Sequence, residues 1–225
     1  LMNIFTRPRV VSKGVRPMKK TMFALVLLAV AFALAQGASS GGASFMMAVV
    51  GDRTGGHIEG IYPVILSEVA ARGPDIVLTV GDHIEGYGDD MEYARGEWDT
   101  IAAMYEVIEA PVYMTPGNHD IWSDDSEALW TEVTGHEPYY SFDFEGAHFV
   151  VLDVSRINEV SDFPEEQMEW LVSDLEANAS PHTYVFLHKP LWLQTLGSGR
   201  PDPLHDVFRA HGVEAVLAGH HHRYY

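Results

Sequence analysis

The chain has 225 residues, no cysteine, 14 basic against 32 acidic residues, and a formal charge of −18. So acidic a surface repels nucleic acid and anionic membranes. The lack of cysteine excludes disulfides and thiolate sites, so a bound metal needs nitrogen and oxygen ligands.

Met18-Lys19-Lys20 reads as a start, with Leu1 to Pro17 an over-extended reading frame. "TMFALVLLAVAFALA" follows, ending on Ala33-Leu34-Ala35. A short basic stretch, an apolar core and a small-residue exit make a secretory signal peptide. A membrane span needs ~20 apolar residues, so an uncleaved anchor is the weaker alternative. No later apolar run is long enough to span. Residues 1–35 are therefore read as spurious leader plus signal peptide, 36–43 as a flexible lead-in, and 44–225 as one domain of an exported, periplasmic or extracellular protein. Six of the 14 basic residues precede residue 21, which leaves eight against 32 acidic residues and a charge of −24.

Beyond the leader, short apolar runs alternate with helical patterns. "FMMAVV" (45–50) predicts a strand. Ile61, Ile65 and Val69 recur at helical spacing, and Gly73-Pro74 stops that helix. "DIVLTV" (75–80) predicts a strand, and Trp98, Ile101, Tyr105 and Ile108 mark a helix. "PVYMT" (111–115) is a further strand. "YYSFDFEGAHFVVLD" (139–153) reads as a hairpin turning at Glu145-Gly146. Pro164 opens a helix striped by Met168, Leu171, Val172 and Leu175. "TYVFL" (183–187), a helix around Leu204, Val207 and Phe208, and "VEAVLA" (213–218) complete an α/β alternation with an antiparallel insert.

Five of these strands end in polar residues of metal-ligand type: Asp52, Asp82, Asn118 with His119, His188, and His220 with His222. Carboxyl ends of strands in an α/β sheet converge on one rim, where ligands bind. Gly51, Gly81, Gly117 and Gly219 precede the polar residues, as a sharp strand exit requires. The final "AGHHHRYY" is then the last contribution to a shared site rather than a chance cluster.

These segments resemble the calcineurin-like metallophosphoesterase superfamily. Its pattern D-x-H, G-D-x-x-[DE], G-N-H-[DE], a lone His and G-H-x-H reads here "DRT" (52–54), "GDHIE" (81–85), "GNHD" (117–120), "FLHKP" (186–190) and "GHHH" (219–222). The resemblance runs from Asp52 to the chain end. It implies an α/β/β/α sandwich of two mixed sheets and two divalent ions drawn from Mn, Fe, Zn, Co or Ni. Asp82 would bridge the ions, Asp52 and His222 would hold the first, and Asn118, His188 and His220 the second. His119 would face the substrate and assist the leaving group, oriented by Glu85. His221 would point away from the metals. The reaction implied is attack on a phosphomono- or phosphodiester by hydroxide held between the ions.

One position departs from the pattern. Thr54 stands where the first motif usually has histidine, so either the first ion binds with fewer protein ligands or another side chain fills in. His57, after Gly55-Gly56, is the nearest candidate. Arg53 and Thr54 are alternatively phosphate contacts. Asp120 is expected to brace its loop, His57 and His83 to lie near the rim, and Tyr87 and Trp122 to line a pocket.

The substrate expected is a small phosphoester, with nucleic acid disfavoured and no protein partner implied. Two alternatives are a non-catalytic metal- or phosphate-binding module, motivated by Thr54, and a purple-acid-phosphatase-like enzyme. The second needs a tyrosine at position 85, where this chain has glutamate. The superfamily's sandwich continues past G-H-x-H, so a C-terminally incomplete domain is expected.

Overall fold

A computed structural model describes residues 44–222. The expected leader over 1–35 and lead-in over 36–43 lie outside the described residues. No described helix is long and apolar enough to cross a membrane.

In chain order the strands are β1 (Met47–Val50), β2 (Ile76–Thr79), β3 (Val112–Tyr113), β4 (Tyr140–Phe144), β5 (Ala147–Val151), β6 (Thr183–Phe186) and β7 (Ala215–Leu217). The helices are α1 (Ile61–Arg72), α2 (Met91–Tyr105), α3 (Asp124–Thr134), α4 (Glu165–Ala177) and α5 (Pro203–Ala210). One sheet runs β1-β2-β3, parallel throughout. The other runs β4-β5-β6-β7, with β4 antiparallel to β5 and the remaining pairs parallel.

Period-two alternation along the strands builds the layers. Ile76, Leu78 and Val80 turn toward Ala147, Phe149, Val151 and Phe186, which forms a core between the two sheets. Val77, from the opposite face of β2, packs with Leu66 of α1, Trp98 and Ile101 of α2, and Leu129 and Trp130 of α3. Val150 and Val185 join Leu171 and Leu175 of α4 and Leu204 and Phe208 of α5. The result is the expected helix–sheet–sheet–helix sandwich.

Local signals place most elements. Glu145 and Gly146 both take positive φ, 48° and 85°, the backbone that a two-residue hairpin requires. Gly73, at φ 60°, ends α1, and its N–H caps the Ala70 carbonyl. Three expectations shift. The buried face of α1 carries Tyr62 and Leu66, while Ile61 and Ile65 are exposed, so the face is rotated by one residue from the expected stripe. Only Val112 and Tyr113 of the run 111–115 enter the ladder. Helix α3 has no counterpart in the expected elements. Its start is held by Ser123, whose hydroxyl accepts from the Ser126 N–H, with Asp124 and Asp125 in the first turn.

Candidate metal centre

The exits of β1, β2, β6 and β7 meet at one rim, joined there by the loop after β3. The Asp52 N–H donates to the Gly81 carbonyl at 3.0 Å, and the Arg53 N–H to that of Asp82 at 3.1 Å, so the first two loops are tied backbone to backbone. Across the rim, the His220 N–H donates to Asp52 Oδ1 at 2.8 Å, and the His119 N–H to Asp82 Oδ1 at 3.0 Å.

Tight packing makes two glycines obligatory. A Cβ on Gly117 would sit 2.2 Å from Asp82 Oδ1, and one on Gly219 2.2 Å from Asp52 Oδ2. Four of the converging side chains belong to residues in left-handed backbone: Asp52, Asp82, His220 and His222, with φ of 48°, 59°, 72° and 49°. Such conformations cost of order 1–3 kcal/mol each and cluster where function demands them.

The donor atoms converge inward. His188 Nδ1 donates to the Val80 carbonyl at 2.6 Å, which turns Nε2 toward the centre. Burial lowers the His188 pKa but Asp82 prevails and raises it, so Nε2 carries a proton to that carboxylate and is the nitrogen a cation would take in its place. That Nε2 lies 3.1 Å from Asp82 Oδ2 and 3.3 Å from His220 Nδ1. Asp82, His188 and His220 each offer a ligand atom within 4.8 Å of the others. Asn118 turns its amide nitrogen to the Tyr87 hydroxyl at 2.8 Å, and its Oδ1 is buried without a hydrogen-bond donor. Buried carbonyl oxygens are ordinarily satisfied, so this one is disposed as a cation ligand. On the other side of Asp52, His222 Nε2 lies 3.5 Å from Oδ1. Imidazole, carboxylate and amide oxygen together fit a divalent transition ion.

Charges are arranged to match. Burial raises the Asp52 carboxyl above its ordinary range, against the pull of His188 and the His220 N–H. Burial acts on Asp82 in the same direction, but hydrogen bonding and attraction from His188 prevail and hold it low. Burial, His188 and Lys189 push His220 down to about 4, so its ring is neutral at pH 7 and free to ligate.

The loops behind the ligands are locked by Asp120, which is fully buried. Its carboxylate accepts from the N–H groups of Gly117, Asp82 and His83, each at 2.8 Å, and from the His83 ring at 2.9 Å. Asp120 thus braces its loop, as expected. His83 does not lie at the rim. It is buried, and its Nε2 meets the Thr79 hydroxyl at 2.9 Å.

His119 is oriented, but not by the Glu85 side chain. Its Nδ1 donates to the Glu85 backbone carbonyl at 2.6 Å. The Glu85 carboxylate instead meets His57 Nδ1 at 2.7 Å, and its pKa is held down by the neighbouring Thr54 hydroxyl and by His57. Thr54 is buried, and its hydroxyl reaches no partner at full hydrogen-bond geometry. Arg53 Nη1 donates to the His83 carbonyl at 3.1 Å, which ties part of its guanidinium to the loop. Lys189 also turns to the backbone, donating to the Ile157 carbonyl at 2.9 Å. His221 is exposed.

Residues 48–224 match the calcineurin-like phosphoesterase family. The chain belongs to that family. It is 31% identical over 175 residues to a probable cyclic nucleotide phosphodiesterase of Rhodococcus erythropolis, covering 70% of this chain and 55% of that protein. In fold it is similar to a purple acid phosphatase from yellow lupin seeds, with a TM-score of 0.56 at 16% identity over 78% of this chain and 37% of that one. It is also similar to a dimetal phosphatase of Danio rerio, with a TM-score of 0.50 at 16% identity, over 77% and 79% of the two chains. The chain spans about half the length of the Rhodococcus relative. As a calcineurin-like phosphoesterase it is a member of a family of metal-dependent hydrolases of phosphoester bonds. Of the motif residues, Asp82, His188 and His220 are the three whose ligand atoms gather within 4.8 Å among the described residues, with Asp52, Asn118 and His222 beside them.

Proposed function

We propose that this chain hydrolyses a small phosphomono- or phosphodiester with two divalent ions. Asn118, His188, His220 and Asp82 would hold one, and Asp52, His222 and Asp82 the other. The observation that carries this reading is the convergence of Asp82, His188 and His220 ligand atoms within 4.8 Å. Held there, divalent ions would neutralise phosphate charge and lower the pKa of water. The protein's own groups do the rest. Asp82, fixed by the His119 N–H and the Asp120 brace, would serve both ions. His119, with Nδ1–H committed to the Glu85 carbonyl, has Nε2 left to carry a proton to the leaving oxygen. The carbonyl stabilises the imidazolium and keeps the ring in one orientation.

A surface charge of −24 on the chain beyond residue 35 favours small substrates over nucleic acid. Exposed charge is screened beyond ~8 Å at physiological salt, so a small anion feels chiefly the ions once it is close. We infer export from the apolar segment 21–35.

The test is release of p-nitrophenol from mono- and bis-(p-nitrophenyl) phosphate with Mn²⁺, beside a His119→Ala control. Metal-dependent turnover that collapses in the control supports the reading. Folded, metal-loaded protein inert toward both esters would instead favour a binding module, for which the buried Thr54 at the usual histidine position is the motivating feature.

A further inference from the structure

Tyr87 stands just outside the motifs, two residues after Glu85. Its backbone is left-handed, φ 59°, a conformation that an aromatic residue rarely adopts. Gly86 before it is at φ 58°, and a Cβ there would lie 1.9 Å from the His119 carbonyl oxygen. The Gly86-Tyr87 step is therefore pressed onto the loop that carries Asn118 and His119. From that position Tyr87 touches both residues. Its hydroxyl accepts the Asn118 Nδ2–H at 2.8 Å, and its ring stands edge-on to the His119 ring with centroids 4.8 Å apart.

The consequence lies in the chemistry of the amide. An asparagine has two nearly isosteric ends, and only the oxygen can ligate a cation. A hydroxyl can accept from the amide nitrogen or donate to the oxygen, so by itself it does not choose an end. In this site the choice is made by what surrounds it: Nδ2 meets the tyrosine, and Oδ1 is buried without a donor. A flipped amide would bury an NH₂ among the metal-facing groups.

We propose that Tyr87 is a positioning residue whose hydroxyl anchors the Asn118 side chain in the rotamer from which the amide oxygen, its end chosen by the surrounding groups, reaches the second ion. The proposal rests on the reading of Asn118 as a metal ligand. A strained backbone at a largely exposed tyrosine supports it, because the Tyr87 ring buries too little surface to explain the strain by core packing.

The experiment is calorimetric titration of Mn²⁺ into the wild-type chain, Tyr87→Phe and Asn118→Ala, with thermal melts of the metal-free proteins alongside. Tyr87→Phe keeps the ring against His119 and removes only the hydroxyl. The expected result is weaker binding of one ion by about 10–100-fold in Tyr87→Phe, in the direction of the larger loss in Asn118→Ala, with the metal-free melting temperature unchanged. Wild-type affinity in Tyr87→Phe beside a weakened Asn118→Ala overturns the role of Tyr87 alone. Unchanged affinity in Asn118→Ala overturns it as well, by removing the ligand it would position. No Mn²⁺ binding by the wild type sinks the metal-site reading and this inference together.

Discussion

His119 Nδ1 rests on the backbone carbonyl of Glu85 at 2.6 Å, while the Glu85 carboxylate turns away to His57. The oriented imidazole is thus a property of the loop path rather than of an acidic side chain, which makes the role of Glu85 testable by substitution.

Glu85→Gln keeps the carbonyl, so His119 keeps its orientation. Turnover of bis-(p-nitrophenyl) phosphate is expected to fall by less than about tenfold in Glu85→Gln, against ~10²–10⁴-fold in His119→Ala. Steady-state kinetics on the two variants separate a backbone from a side-chain role.

Asp120→Asn replaces an acceptor-only group by one whose NH₂ faces the backbone N–H groups of Asp82, His83 and Gly117. At least one buried donor loses its partner, at about 1–3 kcal/mol each. Urea unfolding of the metal-free chain is expected to show a loss of roughly 2–4 kcal/mol.

Gly117→Ala and Gly96→Ala make a matched pair. The first forces a methyl to within 2.2 Å of Asp82 Oδ1, while the second adds one to an open position in α2. Gly96→Ala is expected to stabilise by about 0.5–1 kcal/mol with unchanged metal affinity. Gly117→Ala is expected to lose metal affinity by at least about tenfold, read by Mn²⁺ titration.

His148 lies far from the centre in sequence and role. It is buried, with Nδ1 on Asp143 and Nε2 on Asp174, each at 2.8 Å. Burial lowers its pKa, but the two carboxylates prevail and raise it above the usual value. A histidine raised in the folded state contributes stability fully below its unfolded pKa of about 6.5 and loses that contribution as pH rises through the folded value. Asp174, held low against burial by His148 and Ser141, adds stability above about 3.9 that is lost on acidification. His148→Asn should therefore melt below wild type by roughly 1.5–3 kcal/mol near pH 6, with the gap narrowing by pH 9. A gap that widens with pH would contradict this assignment.

Much of the site was legible because its chemistry is written at strand exits. Asp52, Asp82, Asn118, His188 and His220 each follow an apolar run, and the spacing of those runs predicts their meeting at one rim. The roles of backbone atoms were not legible. The Glu85 carbonyl on His119 has no side-chain signature, and while Asp120 was expected to brace its own loop, its grip on the amides of Asp82 and His83 was not legible, since both depend on how loops far apart in sequence close on each other. The α1 face was misread because Ile61 and Ile65 are apolar yet exposed, and hydrophobic residues at a surface are common. Helix α3 was missed because its apolar contacts, Leu129 and Trp130, are few, and its start rests on a serine pair rather than on periodicity.

The most direct measurement is the Mn²⁺ stoichiometry of the wild-type chain and of Asp82→Ala by equilibrium dialysis. Two ions per chain in the wild type, with affinity for both weakened in Asp82→Ala, is the result that a shared carboxylate predicts. A single ion in the wild type, or two ions retained unchanged without Asp82, would contradict a two-ion centre built on that residue.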